Sequence, residues 1–244
     1  MKPQFQQWLL SASGQRFIDL ELDQLAGLEP VLCGSMGLQA TLSEQRDYME
    51  NSNVANAVHL IQAPSSVATY PGLAIADTSA LPFDSNEFNV VLAPHLVELS
   101  VDPHAALREI YRVTAPEGQV MLSGFNPYSL IGIQSLLSFD KYRFGSKVSL
   151  SRMKDWLKLL GFEVTAGCLF HYSTLNDGQT YPRISSALES IGNRWLPMTS
   201  GAYILVVKKR IFSQTLVGRK QKKLFKANNL SKSLANDASN RSGR

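Results

Sequence analysis

Residues 77–129, DTSALPFDSNEFNVVLAPHLVELSVDPHAALREIYRVTAPEGQVMLSGFNPYS, decide the fold. Within them Phe88–Ala93 (FNVVLA) is a nearly unbroken apolar run of strand length, the pattern of a parallel strand covered on both faces. Asp102 and Pro103 then open a segment in which Ala106, Leu107, Ile110, Tyr111 and Val113 fall at helical spacing, with Asp102 as N-cap and Pro103 at the first helical position. The helix should end near Thr114. Pro116, Glu117 and Gly118 supply a turn, and residues 119–123 (QVMLS) form a second buried strand. Strand, helix and strand with short links make a right-handed βαβ crossover, which leaves ligand space at the carboxyl ends of the strands.

Working outward, 244 residues with 44% hydrophobic content suffice for one full core. No apolar run reaches the length of a membrane span, and the opening MKPQFQQWLL is too short and too polar for a secretory signal. Cys33 and Cys168 each sit in an apolar, strand-like run, so buried free thiols are expected and a reducing cytoplasm fits best. His59 and His171 fall in strands and His104 on an exposed helix face. No two histidines stand at metal-ligand spacing, so no metal is expected.

The net charge of +4 conceals an asymmetry. Residues 208–244 hold 11 of the 24 Lys and Arg against one acid, Asp237, which leaves 13 basic and 19 acidic residues in the first 207. This divides the chain into a domain over residues 1–210 and a basic, largely disordered tail over residues 211–244. The tail is a solvated, solubilising end or, through residues 208–226, a weak nucleic-acid contact. With only Phe212 and Phe225 as interleaved aromatics, the solvated reading is favoured.

The order LPFDSNEFNVVLAPHLVE, DPHAALREIYRV, APEGQVMLSGFNPYSL resembles the central block of class I S-adenosylmethionine (SAM) dependent methyltransferases, specifically the type 11 branch. The similarity covers about a third of the chain, and several motifs kept in order are far more specific than any one of them. It implies an α/β, Rossmann-like fold: a mostly parallel seven-stranded sheet with a C-terminal antiparallel hairpin and helices on both faces. It also implies transfer of the SAM methyl group to an acceptor that the sequence does not name, whether small molecule, protein or RNA.

Residue by residue, the resemblance places the first strand and a glycine-rich turn within residues 29–37. There Gly34 fits the first glycine, Ser35 follows it, and Met36 and Leu38 replace the others. Gln62 stands where the family has an acid for the ribose hydroxyls; it accepts hydrogen bonds without the strength of an ionised group. Asp77 would accept from the adenine amine, with the Thr78 amide beside a ring nitrogen, although an Asp capping the turn before Leu81 explains the same residue. Ala93, Pro94 and His95 lie at the mouth of the pocket. His95 is either a general base or a hydrogen-bonded histidine opening a helix. Asn126 and Tyr128 follow the fifth strand, where an acceptor would bind, or Asn126 simply starts a turn.

Around that core, Phe5, Trp8, Leu9, Phe17, Ile18, Leu22 and Leu25 form an amphipathic helical entry; the resemblance implies a lid role for Trp8 or Phe17, whereas packing on the sheet is the reading their apolar character favours. Residues 151–160 read as a helix capped by Ser151 and stopped by Gly161. Residues 162–170 and 202–207 read as the last strands, with residues 182–195, including Arg183, Arg194 and Trp195, inserted between them. The alternative function is a methyltransferase-fold binding or regulatory module without turnover, RNA-associated through its tail. The replaced glycines and Gln62 argue for it.

Overall fold

In the computed structural model, residues 3–28, 32–41, 46–50, 52–61, 72–129, 148–171 and 200–210 are described. The chain divides into Met1–Ile211 and Phe212–Arg244, and every described residue lies in the first unit. Gln62, the 63–71 loop, residues 130–147 and 172–199, and the tail beyond Arg210 therefore lie outside the described residues.

Two helices, α1 (Pro3–Leu9) and α2 (Ala12–Ala26), precede β1 (Cys33–Gln39), β2 (Asn53–Ile61), β3 (Leu73–Ile75) and β4 (Phe88–Ala93). A single turn, α3 (Leu96–Leu99), leads to α4 (Pro103–Val113), β5 (Thr114–Phe125), α5 (Leu150–Leu160), β6 (Phe162–Phe170) and β7 (Ala202–Lys209). The strands form one sheet in the order β3-β2-β1-β4-β5-β7-β6. All pairs are parallel except the two made by β7. The chain leaves β1 in one direction and β4 in the other, so the topological switch point, where open α/β sheets bind ligands, falls between these strands.

The apolar run of β4 is buried on both faces, as its composition requires. Val90 and Leu92 face a layer that includes Phe5, Trp8, Phe17 and Ile18 from the first two helices. Val91 and Ala93 face Leu107 and Ile110 of α4 and Met153 and Leu157 of α5. Asp102 caps α4 by accepting from the amides of His104 and Ala105, each at 3.0 Å. The expected turn at residues 116–118 is absorbed into β5 as an irregularity, with Glu117 at φ 60°. Ser149, not Ser151, caps α5, because the helix begins at Leu150.

Three expectations are corrected. Cys33 is exposed, not buried, because β1 starts there, ahead of the part of the strand that the core covers. His171 lies one residue past β6, at φ 60°. The first strand also continues to Gln39, so Gly34, Ser35 and Gly37 lie inside it and no turn forms at residues 34–37.

Candidate functional site

The position of β1 relocates one side of the site. Gly37, Leu38 and Gln39 are in register with Val90, Val91 and Leu92 of β4, so Gly34 and Ser35 sit toward the amino end, away from the mouth. Gly34 is needed there for a different reason. A Cβ at that position would lie 2.5 Å from Asn89 Cβ, and Asn89 Oδ1 accepts from the Ser35 amide, the Ser35 hydroxyl and the Met36 amide. These are strand-to-strand fastenings.

The carboxyl tip of β1 is instead Gln39, Ala40 and Thr41. The buried Gln39 side chain organises the loop that follows: Nε2 donates to the carbonyls of Thr41 and Arg46, and Oε1 accepts from the Tyr48 amide at 2.8 Å. Thr41 Oγ1 donates to the carbonyl of Pro94, which clasps this loop to the tip of β4. Nothing in the local sequence pattern singles out either residue.

Asp77 follows β3 and is exposed. Its Oδ1 accepts from the Ser79 amide at 3.1 Å, the turn-capping role, and lies 3.5 Å from the Thr78 hydroxyl; Oδ2 carries no bond among the described residues. Thr78 is buried, and its hydroxyl meets that of Ser100 at 3.1 Å. The Asp77 turn is thereby pinned to the segment that follows β4.

That segment contains the most unusual cluster in the described residues. His95 adopts a left-handed conformation (φ 53°, ψ 28°) and is fully buried. A non-glycine residue held in this way is strained, and such strain concentrates at functional sites. The imidazole Nε2 lies 3.5 Å from Glu21 Oε2 of α2, and Nδ1 lies 3.9 Å from Glu98 Oε2 of α3. Glu21 Oε2 also accepts from the Tyr48 hydroxyl at 2.6 Å, and Glu98 Oε1 accepts from the Phe125 amide at 2.7 Å.

Burial alone would drive the His95 pKa down, but the Glu21 carboxylate, with Glu98 behind it, outweighs burial and raises it. Burial would push Glu21 up, but His95 and its hydrogen-bond donors hold it below the usual carboxylate range. Glu98 is raised, because burial exceeds what His95 and the Phe125 amide return. The signal for Glu21 was present in the sequence: it falls on the same helical stripe as Phe17, Ile18 and Leu25, where a charge is costly without a partner. Glu98 sits likewise inside the apolar LVEL turn.

Over this cluster lies an aromatic roof. The His95 ring is 4.6 Å from Phe125 and 5.5 Å from both Phe5 and Phe17. Phe17 also meets Trp8 at 5.6 Å. Trp8 and Phe17 are core residues here.

Beside the tip of β5, Asn126 is buried, and its Oδ1 accepts from the Tyr128 amide, the turn-starting role. Asn126, Tyr128, Leu169 and Tyr203 help to line a cavity of about 290 Å³ with residues 149–151, and no charged side chain is among the described lining. The first cations of the 208–226 run are engaged internally. Lys208 and Arg210 pair with Glu117, Arg210 also with Glu163, and Lys209 Nζ donates to Asn86 Oδ1 and the carbonyls of Tyr111 and Thr114. Among the described residues no helix is long and apolar enough to cross a membrane.

The strand order, the reversed β7 and the helices on both faces define the class I SAM-dependent methyltransferase fold. Within it, residues 34–122 match the family model described as methyltransferase domain. The chain is 32% identical over 151 residues to the uncharacterized protein YafS of Escherichia coli K12, a stretch covering 61% of this chain and 59% of that one. It is 42% identical over 60 residues to a malonyl-[acyl-carrier protein] O-methyltransferase of Halorhodospira halophila, covering 25% of this chain and 20% of the relative. The chain thus spans less than two thirds of either curated relative.

Among solved structures, a possible histamine N-methyltransferase from Thermotoga maritima superposes with a TM-score of 0.62 at 15% identity, covering 84% of this chain and 94% of that one. A structure of the Haloferax volcanii Trm112 methyltransferase activator with a putative methyltransferase gives 0.61 at 15% identity, covering 86% and 100%. At these identities the likeness is one of fold.

Proposed function

We propose that this chain transfers the methyl group of SAM to an acceptor bound over the carboxyl ends of β4 and β5. One observation carries the reading. The Thr78–Ser100 contact fastens the Asp77 turn to the segment after β4, so an exposed carboxylate and the His95 tip flank the sheet's switch point together. Asp77 fits the adenine end of the cofactor, since Oδ1 holds its own turn and Oδ2 remains to accept from an amine. When bound, SAM supplies an electrophilic methyl on a sulfonium.

The chain's own part is chiefly to position the acceptor and exclude water, which methyl transfer needs more than it needs catalytic side chains. Thr78 orders the adenine turn. The Gln39-organised loop and Pro94 shape the side near the methyl. His95 sits at the tip of β4 with its proton affinity raised by Glu21 against the effect of burial. Asn126 and Tyr128 border the acceptor side, and the cavity beside them, uncharged in its described lining, suits a neutral acceptor.

The test is calorimetry with SAM on the wild type and on Asp77→Ala. Micromolar binding lost in the variant is expected. A folded chain that ignores millimolar SAM would sink the proposal in favour of a binding module without turnover.

A further inference from the structure

Buried polar atoms in folded proteins nearly always find hydrogen-bond partners, and each exception calls for a reason. Among the described residues four such atoms without a hydrogen bond meet at one point: Glu21 Oε1, Glu98 Oε2 and both ring nitrogens of His95, whose neighbours are the carboxylates at 3.5 and 3.9 Å. They lie between α2 and the tips of β4 and β5, and the residue between the two carboxylates is in left-handed conformation. Well-packed apolar side chains of similar size would fill this space at lower cost, so stability does not explain the cluster.

Its connections run to the strand tips around the proposed site. Glu21 reaches the tip of β1 through Tyr48, whose hydroxyl donates to the carboxylate and whose amide donates to Gln39. Glu98 reaches the tip of β5 through the Phe125 amide. The rings that seal His95 from above, Phe5 and Phe17, belong to the same α1–α2 hairpin as Glu21.

We propose that Glu21 is the positioning residue of His95: seating the α1–α2 hairpin brings its carboxylate against Nε2 and fixes the orientation and charge of the imidazole, so that cover and proton-holding group are assembled together. What the imidazole is used for rests on the methyl-transfer reading; the pairing itself does not. A carboxylate behind an imidazole holds its tautomer and strengthens it as a base, as in other carboxylate–histidine pairs. Among the described residues the remaining titratable groups near the pair are Tyr48, Cys168 of β6 and Tyr203 of β7, all raised, and His171, lowered to about 4. None of them changes charge near neutral pH.

The experiment is NMR titration of the full-length chain labelled at histidine, its four histidines assigned by single substitution. In the wild type His95 should titrate above an ordinary histidine. Glu21→Gln should lower its proton affinity by about tenfold or more, Glu21→Asp should recover part of that, and amide exchange across α2 should quicken in the Gln variant. A His95 midpoint at or below the ordinary value in the wild type overturns the proposal even where no variant folds. So does a midpoint unmoved by Glu21→Gln, whatever happens to exchange, because that would leave Glu21 a packing residue only. Calorimetry with S-adenosylhomocysteine on the same samples separates the two ideas: a wild type that does not bind it defeats the methyl-transfer reading and leaves the titration result for Glu21 unaffected.

Discussion

Asp77 and His95 flank the same edge of the sheet, yet they are built in opposite ways. Asp77 is exposed, held by one oxygen within its own turn, with the other to spare. His95 is sealed, pressed between two carboxylates and three phenylalanine rings. Among the described residues, therefore, Asp77 faces solvent as it stands, whereas His95 is covered by the chain's own N-terminal hairpin. The comparison breaks most decisively at Phe17, whose ring meets Trp8, Phe125, Phe170 and both His95 and His171. Phe17→Ala should cost about 3–5 kcal/mol in urea unfolding. A loss below about 1 kcal/mol would show that the roof does not seal the site.

A smaller effect is expected at Gly124, behind the cluster. A methyl there would lie 2.7 Å from Tyr203 Oη and 3.1 Å from Glu98 Oε1. Gly124→Ala should therefore push the Glu98 carboxylate and the Tyr203 ring apart at a cost of about 1–3 kcal/mol. The same substitution should leave Asp77 untouched. If SAM affinity fell with stability, the two ends would be coupled more tightly than their separate construction suggests.

Acidity sharpens the comparison from another side. Glu21 is depressed, so its contribution is present above the ordinary carboxylate value of 4.5 and is lost as pH falls through its folded value. His95 is raised, so its contribution is complete below 6.5 and is lost as pH rises through its folded value. Glu98, also raised, loses its contribution upward from 4.5. The hairpin should thus sit most firmly in weak acid and loosen toward alkaline pH. Amide exchange across α2, corrected for its intrinsic pH dependence, measures this; a profile flat from about pH 6 to about 9 would contradict it.

Much of the architecture could be read from the chain because β4 is a nearly unbroken apolar run and α4 combines helical spacing with clear boundary residues such as Asp102. The glycine turn was misplaced because the family resemblance aligned Gly34 with the first glycine of the loop, whereas residues 34–37 lie inside β1. What decides its conformation is Asn89 on the neighbouring strand, a long-range partner that local reading does not supply. Gln39 and Thr41 were passed over for the same reason, since their role appears only once β1 is known to end there. Glu21 and Glu98 were legible in principle, as charges within apolar stripes, but which residue satisfies them depends on how α2 crosses the sheet. Asp77 was found through motif order; the structure shows its turn-capping bond to the Ser79 amide, with Oδ2 carrying no bond among the described residues.

The smallest expected change in stability is at Asp77 itself. Asp77→Asn keeps an oxygen for the Ser79 amide and changes an exposed side chain, so the unfolding free energy should shift by no more than about 0.5 kcal/mol. Its effect on the cofactor should be larger, because an ionised acceptor makes the stronger hydrogen bond to an amine and the amide offers a donor in its place. A loss of SAM affinity of about tenfold, with the melting temperature nearly unchanged, is the expected pair of results. Equal affinity in the two proteins would mean that the open carboxylate holds only its own turn. The adenine end would then have to be sought elsewhere along the edge between β1 and β4.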